Sequence, residues 1–203
     1  MPTPSPAFTE RQQRLLEAGV RVVAGTGLRG LTHRAVDVEA GLAQGTCSAY
    51  MRTRLALLTR LTEYVVHRLA ADIDALTADI EARGVDPDHA LRATSAVLSG
   101  WLRDPDLLVA RMELSLESTR QPDLATLVRA HGERLVAVVA HAVAHAHPAW
   151  GPDEVALRSG TLVAALDGVL LRSLREPAEG RARSLDAAVV LLMEQLVAVG
   201  PDD

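Results

Sequence analysis

A near absence of aromatic side chains limits the folds open to this chain more than any other feature of its sequence. Hydrophobic residues make up 48% of its 203 residues, but aromatic residues only 2%. A core built from leucine, valine and alanine suits packed helices better than sheets. No sustained alternation of apolar and polar residues predicts a strand, and the longest apolar runs are far too short for a membrane span. The sequence therefore predicts an all-α protein without a membrane partner.

Charge is distributed unevenly along the chain. Residues 1–60 contain eight arginines and four acidic residues, a formal charge of +4, whereas residues 61–203 contain 13 arginines and 22 acidic residues, a charge of −9. A basic N-terminal unit on an acidic body directs one end of a molecule towards phosphates. The distribution is typical of a nucleic-acid-binding protein, although the net charge of −5 alone is not.

Two features of the sequence indicate the cellular compartment in which the protein works. The single cysteine, Cys47, excludes an internal disulfide and fits a reducing environment. The first six residues, Met-Pro-Thr-Pro-Ser-Pro, lack the basic and apolar regions of a signal peptide. We therefore expect a cytoplasmic protein whose residues 1–8 form a disordered arm.

Local signals place four helices in the first 82 residues. Thr9 and Gln12 have the spacing of a capping box, and the helix that they begin is expected to end at residues 25–27. Thr32 and Thr53 are predicted to cap a short helix and a long helix that continues to about residue 82. A further short helix is predicted over residues 44–50. Two short helices joined by a turn form a helix-turn-helix pattern, in which the second helix enters the major groove.

Residues 14–58 resemble the DNA-binding domain of the TetR family of transcriptional regulators. The resemblance lies in five stretches with unbroken spacing: Leu15-Leu16-Glu17-Ala18, Gly30-Leu31-Thr32-His33-Arg34-Ala35-Val36, Ala40-Gly41-Leu42-Ala43-Gln44-Gly45-Thr46, Cys47-Ser48-Ala49-Tyr50-Met51-Arg52-Thr53-Arg54 and Leu57-Leu58. Three residues depart from the family pattern. Ala43 replaces the usual serine cap, Ser48 replaces a frequent tyrosine, and Met51 replaces a packed phenylalanine.

The resemblance implies a homodimeric repressor that small molecules release from palindromic, double-stranded operator DNA, without catalysis and without a cofactor. It also implies that Gln44 and Thr46 face base edges, where glutamine recognises adenine and threonine can offer a methyl group to thymine. The residues expected to contact phosphates are Thr32, Ser48, Tyr50, Thr53 and Arg54.

Residues 61–203 are expected to form the ligand-binding and dimerisation domain after a DNA-binding domain of residues 9–60. Helices are predicted near residues 88–102, 106–119, 122–146, 153–175 and 184–198. Small residues every four positions and the apolar stripe of the last helix can pack against another helix, and the stripe of the last helix fits packing within the chain as well as packing between subunits. The resemblance to the TetR family favours a dimer interface, at Gly160, Ala164, Gly168, Leu185, Val189, Leu192 and Leu196. The residues expected to line a ligand pocket are Trp101, Met112 and Asp167, and the sequence leaves open that Trp101 anchors the core and that Asp167 is a dimer contact.

Two alternatives use the histidines of the body. His141 and His145 have the i, i+4 spacing of metal ligands, with His147 just beyond. No neighbouring acid or cysteine completes a coordination set, so we expect no bound metal. A metal-responsive regulator is one alternative function. A helical enzyme is the other, although the sequence has no nucleophile–base motif or phosphate-binding loop.

Overall fold

The computed structural model describes residues 8–83 and 86–198, and these residues are almost entirely helical, without a β-strand. A π-helical turn over Glu194–Ala198 follows the last α-helix. The α-helices in the described residues are α1 (Glu10–Gly30), α2 (His33–Glu39), α3 (Thr46–Tyr50), α4 (Arg54–Arg83), α5 (Pro87–Arg103), α6 (Pro105–Ser118), α7 (Pro122–Ala146), α8 (Pro152–Ser173) and α9 (Ala178–Met193). The all-α prediction is confirmed.

The helix starts follow from short sequence signals. Thr9 forms the predicted capping box with Gln12: the Gln12 amide donates to Thr9 Oγ1 over 3.3 Å, and the Thr9 amide donates to Gln12 Oε1 over 2.9 Å. Helices α6, α7 and α8 each begin with proline followed by aspartate. Proline fits the first helical position because amides there have no acceptor within the helix, and proline has no amide hydrogen to leave unpaired. The negative charge of aspartate complements the positive end of the helix dipole.

Helix α1 is interrupted at the glycine-rich stretch where it was expected to end. Gly27 has φ 68° and ψ 179°, which is not helical, and one further turn then continues to Gly30. A side chain at Gly30 would not fit, because an added Cβ would lie 1.9 Å from Thr26 Oγ1. The predicted end is therefore a kink, and the helix is one turn longer than expected.

The chain forms two compact units. The first contains the described residues up to Ala71 together with Asp104–His131, and the second contains Asp72–Arg103 and the described residues from Gly132 onwards. Helices α4 and α7 each contribute residues to both units. The domain boundary expected at residue 60 lies inside α4, a continuous helix.

In the first unit, α1 packs against α6 and α2, and α2 packs against α3. Phe8, which was expected in the disordered arm, lies edge-to-face on Tyr64 with 5.7 Å between the ring centroids. Residues 1–7 of that arm lie outside the described residues. The core is almost purely aliphatic, as the composition predicts, and its fully buried leucines are Leu15, Leu16, Leu31, Leu57, Leu58, Leu61, Leu69, Leu108, Leu114 and Leu124.

In the second unit, α9 packs against α8 and α5. Trp101 is buried at the end of α5, and its Nε1 donates to Asp72 Oδ2 on α4 over 2.8 Å. The other buried apolar residues are Leu98, Leu102, Val143, Val155, Leu162, Leu170, Leu185 and Val189. In the part of the chain that the structure describes, no helix is both long and apolar enough to span a bilayer.

Candidate DNA-binding site

Helices α2 and α3 form the helix-turn-helix that the sequence predicts. Thr32 caps α2, because its Oγ1 accepts from the Ala35 amide over 3.1 Å. The turn between the helices needs two glycines with positive φ, Gly41 at 62° and Gly45 at 94°. These backbone angles are in the left-handed region, where other residues are strained.

The N-terminus of α3 is capped by a side chain from α2. Ala43 provides no side-chain cap, and the N-cap residue of α3, Gly45, has no side chain. Asp37 of α2 is buried, and its two carboxylate oxygens accept from the Gly45 amide over 2.8 Å and from the Cys47 amide over 2.7 Å. This cap was not predicted from the sequence, because the amide partners of Asp37 follow it by eight and ten positions.

Three basic side chains satisfy carbonyls at the C-terminal ends of the first three helices. Arg14 Nε donates to the carbonyl of Ala40 at the end of α2 over 2.8 Å. His33 Nε2 donates to the carbonyl of Met51 after α3 over 2.6 Å. Arg54 lies at the end of α1, and its Nη1 and Nη2 donate to two carbonyls, those of Leu31 at 2.5 Å and Leu28 at 2.7 Å. The two arginine cations also complement the negative ends of the α2 and α1 dipoles.

The two residues expected to contact bases lie at the start of α3. Gln44 is exposed in the turn, two positions before the helix begins, rather than inside it as expected. Thr46 is the first helical residue and is partly exposed. Its Oγ1 donates to the carbonyl of Ala43 over 2.6 Å, so the methyl group and the oxygen lone pairs are the parts left for other contacts.

The residues expected to contact phosphates are exposed or partly exposed in the same region. Thr53 Oγ1 caps α4 by accepting from the Ala56 amide over 3.0 Å. Ser48 Oγ donates to the carbonyl of Gly45 over 2.9 Å. Tyr50 is 44% exposed and is therefore not part of the core, whereas Met51 packs in the core with 3% exposure.

Three of the four acidic side chains among residues 1–60 are engaged within the protein. Glu39 pairs with Arg21 over 2.6 Å, and Glu17 Oε1 accepts from the Tyr64 hydroxyl over 3.3 Å. Asp37 is buried against α3. In contrast, the exposed surface around the helix-turn-helix carries the arginines Arg29, Arg34 and Arg52.

Cys47 is a buried part of α3. Burial, with a smaller contribution from the negative charge of Asp37, raises the pKa of its thiol from 9.0 to about 11. The thiol therefore stays protonated at neutral pH, and a protonated thiol is a poor nucleophile and metal ligand.

The structure separates the predicted dimer residues into two groups. Leu185 and Val189 have 0% exposure, so their side chains pack inside the second unit and cannot meet a partner. Ala164 and Gly168 are exposed, and the other predicted residues are partly exposed: Gly160, Leu192 and Leu196. An added Cβ at Gly160 or Gly168 would meet no atom within 4 Å, so packing within the chain requires neither glycine.

Three exposed leucines of α8 and α9 were not predicted from the sequence. Leu157 and Leu171 of α8 are 67% and 48% exposed, and Leu191 of α9 is 57% exposed. Together with Ala164 and Gly168, the two leucines of α8 follow a helical spacing along one side of the helix. We call these exposed residues of α8 and α9 together the α8–α9 face: Leu157, Ala164, Gly168, Leu171 and Leu191.

The predicted pocket residues do not all belong to one unit. Trp101 and Asp167 are in the second unit, whereas Met112 is in the first. Trp101 is buried with its indole nitrogen bonded to Asp72, and the other two side chains are partly buried.

The histidines do not come together as a metal site. His141 and His145 are exposed, and His147 instead stacks on Trp150 with 3.8 Å between the ring centroids. Across the described residues, no three His, Cys, Asp or Glu side chains are grouped so that they could hold a metal ion.

Comparisons with known proteins agree with this architecture. The family described as Tetracyclin repressor-like, C-terminal domain, matches residues 85–198, more than half of the chain. The HTH-type transcriptional regulator BetI of Stenotrophomonas maltophilia is 26% identical over 166 residues, which cover 80% of each chain. The structure of a TetR-family member from Streptomyces coelicolor A3 has a TM-score of 0.72 and 25% identity, covering 94% of this chain and 100% of that one.

A further similar structure contains a bound small molecule. It is the multidrug binding protein EbrR complexed with proflavin, with a TM-score of 0.59 and 25% identity, covering 90% of this chain and 99% of that one. The helix-turn-helix geometry, the family match over the C-terminal half and these relatives all lead to the same assignment. The chain belongs to the TetR family and is a DNA-binding transcriptional regulator.

Proposed function

We propose that the protein is a homodimeric repressor that binds a palindromic operator through α3 and leaves it when a small molecule binds. The observation that carries the proposal is the exposed start of α3, whose ends are both held by side chains of α2. A dimer presents two such helices about 34 Å apart, one turn of DNA. Because a DNA-binding regulator must reach its operator, we also propose that the protein works in the cytoplasm.

Base recognition is assigned to Gln44 and Thr46. The Gln44 amide can both donate and accept, which matches the N7 and N6 positions of adenine. Because the Thr46 hydroxyl donates its hydrogen to Ala43, the oxygen can accept from a base amino group while the methyl group contacts thymine. Ser48 is assigned to phosphate, and its hydroxyl must rotate away from the Gly45 carbonyl to donate to a phosphate oxygen.

The other phosphate contacts are assigned to helix starts and exposed donors. Thr32 and Thr53 cap α2 and α4, where a phosphate can also meet amides at the start of the helix. Tyr50 offers an exposed hydroxyl. Arg54 has a second role in the fold, because each of its terminal nitrogens donates one hydrogen to a carbonyl and keeps another for phosphate.

The dimer is assigned to the α8–α9 face. Leu157, Leu171 and Leu191 expose apolar surface there, and burial of such surface is the main driving force for association. A glycine within a helix costs about 1 kcal/mol relative to alanine. Packing within the chain does not compensate for this cost at Gly168, so close approach of a partner helix is the simplest compensation.

The effector is assigned to the second unit, with Trp101 and Asp167 as candidate contacts. The bound proflavin of the similar structure supports a small-molecule effector for this chain. An effector releases the repressor only if it binds the DNA-incompetent conformation more tightly than the DNA-bound one. The contact of Met112 with an effector stays a prediction.

Selection from a random duplex pool tests the proposal. We expect the protein to enrich a palindrome with half-sites about one helical turn apart, and its affinity to fall steeply with salt because phosphate contacts release counterions. Proflavin and other small planar cations are then tested for release of the selected duplex. Equal binding to selected and unselected duplexes would show that the protein is not an operator-binding repressor.

A further inference from the structure

We propose that Asp37 positions the recognition helix α3 for base contact, because it supplies from α2 the N-terminal cap that α3 lacks. The inference rests on the proposed role of α3 in operator binding. It concerns a residue that contacts no DNA itself and acts through the main chain of α3.

Helix α3 cannot hold its own position. It has five residues, and helices of that length do not form without tertiary contacts. Its N-cap residue is a glycine, and the left-handed φ of 94° disfavours a side chain at that position. An external group must therefore satisfy the first amides of the helix.

The Asp37 carboxylate matches these amides in number and in charge. Its two oxygens each accept one hydrogen bond, at 2.8 Å from Gly45 and 2.7 Å from Cys47. Its negative charge lies at the positive end of α3, and charge-assisted hydrogen bonds are stronger than neutral ones. The residue is 1% exposed, and a buried charge is tolerated only when such bonds compensate for its loss of hydration.

The two bonds are made by neighbours of the residues that are assigned to bases. Thr46 lies between the two capped amides, and Gln44 immediately precedes the first of them. At the other end of α3, His33 of the same helix α2 binds the carbonyl of Met51. Helix α2 therefore fixes α3 at both ends, and a shift of about 1 Å would take Thr46 and Gln44 out of hydrogen-bond range.

The cap is tested with one amide signal. Cys47 is the only cysteine, so labelling with ¹⁵N-cysteine gives a single backbone amide resonance, which reports the bond to Asp37. We expect a downfield amide proton that exchanges slowly with solvent in the wild type. In Asp37→Asn the side chain has only one acceptor oxygen for two amides, so the resonance should shift and exchange faster. Glu39→Gln removes the same charge from the exposed side of α2 and should leave the resonance in place.

DNA binding by the same two variants distinguishes loss of the α3 cap from loss of a negative charge near DNA. The probes are the duplex that the wild type selects from a random pool and an unselected duplex of the same length. Removing an acid near DNA should strengthen phosphate attraction, so both variants should bind the unselected duplex at least as tightly as the wild type. Only Asp37→Asn should bind the selected duplex more weakly, by about tenfold or more, the effect of losing one charge-assisted hydrogen bond.

The outcomes distinguish this inference from the proposed function. An Asp37→Asn protein that is folded and binds the selected duplex within about twofold of the wild type would overturn the positioning role alone. If the variant does not fold, a wild-type Cys47 amide that exchanges as fast as an unprotected one would overturn it instead. A wild type that selects no duplex would overturn the proposed function, and the positioning role with it.

Discussion

Replacing Gly168 by leucine tests whether this residue packs against a second subunit or lies on the open surface of a single chain. Gly168 is exposed on α8, and an added Cβ meets no atom within 4 Å. Within a lone chain the exchange therefore has no steric cost. It should raise the free energy of unfolding by about 0.8 kcal/mol, because leucine is a far better helix former than glycine.

In a dimer that packs through the α8–α9 face, the same substitution is instead destabilising. A leucine side chain added to a closely packed interface costs about 1–3 kcal/mol, and a symmetric dimer contains two copies. The expected cost is about 2–6 kcal/mol, which weakens the dimer at least about 30-fold. Loss of the dimer also removes the gain from binding two half-sites together, typically about 10²–10⁴-fold in DNA affinity.

Sedimentation, thermal unfolding and gel-shift measurements on one preparation check this prediction. The matched control is Gly132→Leu, the same exchange at another helical glycine whose added Cβ also meets nothing within 4 Å. We expect a monomeric, helical Gly168→Leu protein with weak DNA binding, and a Gly132→Leu protein that stays dimeric. A Gly168→Leu protein that is dimeric and binds DNA like the wild type would place the interface elsewhere.

Three further substitutions test individual side chains. Gln44→Ala should relax base preference at one position of each half-site and cost about 1–3 kcal/mol there, as measured with a panel of single-base operator variants. Arg54→Ala should weaken binding to every duplex. It should also lower the free energy of unfolding without DNA by about 1.5–3 kcal/mol, because two carbonyls of α1 lose a charged donor, and denaturant titration measures this loss. Because the pKa of the Cys47 thiol is raised in the folded protein, the thiol ionises at lower pH in the unfolded chain than in the folded one. Stability should therefore fall as pH rises from 9.0 towards about 11. Cys47→Ala should lessen that fall in denaturant titrations, and an unchanged fall would assign it to other groups.

The helix starts of the first unit could be predicted because they depend on neighbours in sequence. Thr9, Thr32 and Thr53 each accept from an amide three positions later. Such a bond needs only a side-chain oxygen of the right length at the N-cap. The α2–turn–α3 pattern followed from the same kind of local signal.

The bonds that hold these helices to each other could not be predicted in the same way. Arg54 and its carbonyl partners are 23 and 26 positions apart, and Asp37 is eight and ten positions from its amides. Nothing in a local window distinguishes an arginine that caps a helix from one that faces phosphate. The sequence placed Arg54 only at phosphate, and its second role in the fold was found from its geometry.

The apolar surface of α9 illustrates another limit. Leucine, valine and alanine occur around much of the helix, so its sequence offers more than one apolar stripe. Leu185 and Val189 form the stripe that packs within the unit, whereas Leu191 is 57% exposed. Neighbouring helices decide which stripe is covered, and periodicity alone does not contain that information.

Charge counted along the sequence overstates the charge that the first 60 residues can offer to DNA. Arg21 pairs with Glu39 and Arg60 pairs with Glu63, each over 2.6 Å. The other six arginines of this segment are exposed: Arg11, Arg14, Arg29, Arg34, Arg52 and Arg54. If only these six bind phosphate, a dimer neutralises at most twelve phosphates with arginine, so log K should fall against log salt with a slope no steeper than about −11. All sixteen arginines would give a slope of about −14, so a slope near that value would mean that Arg21 and Arg60 leave their acidic partners on binding DNA.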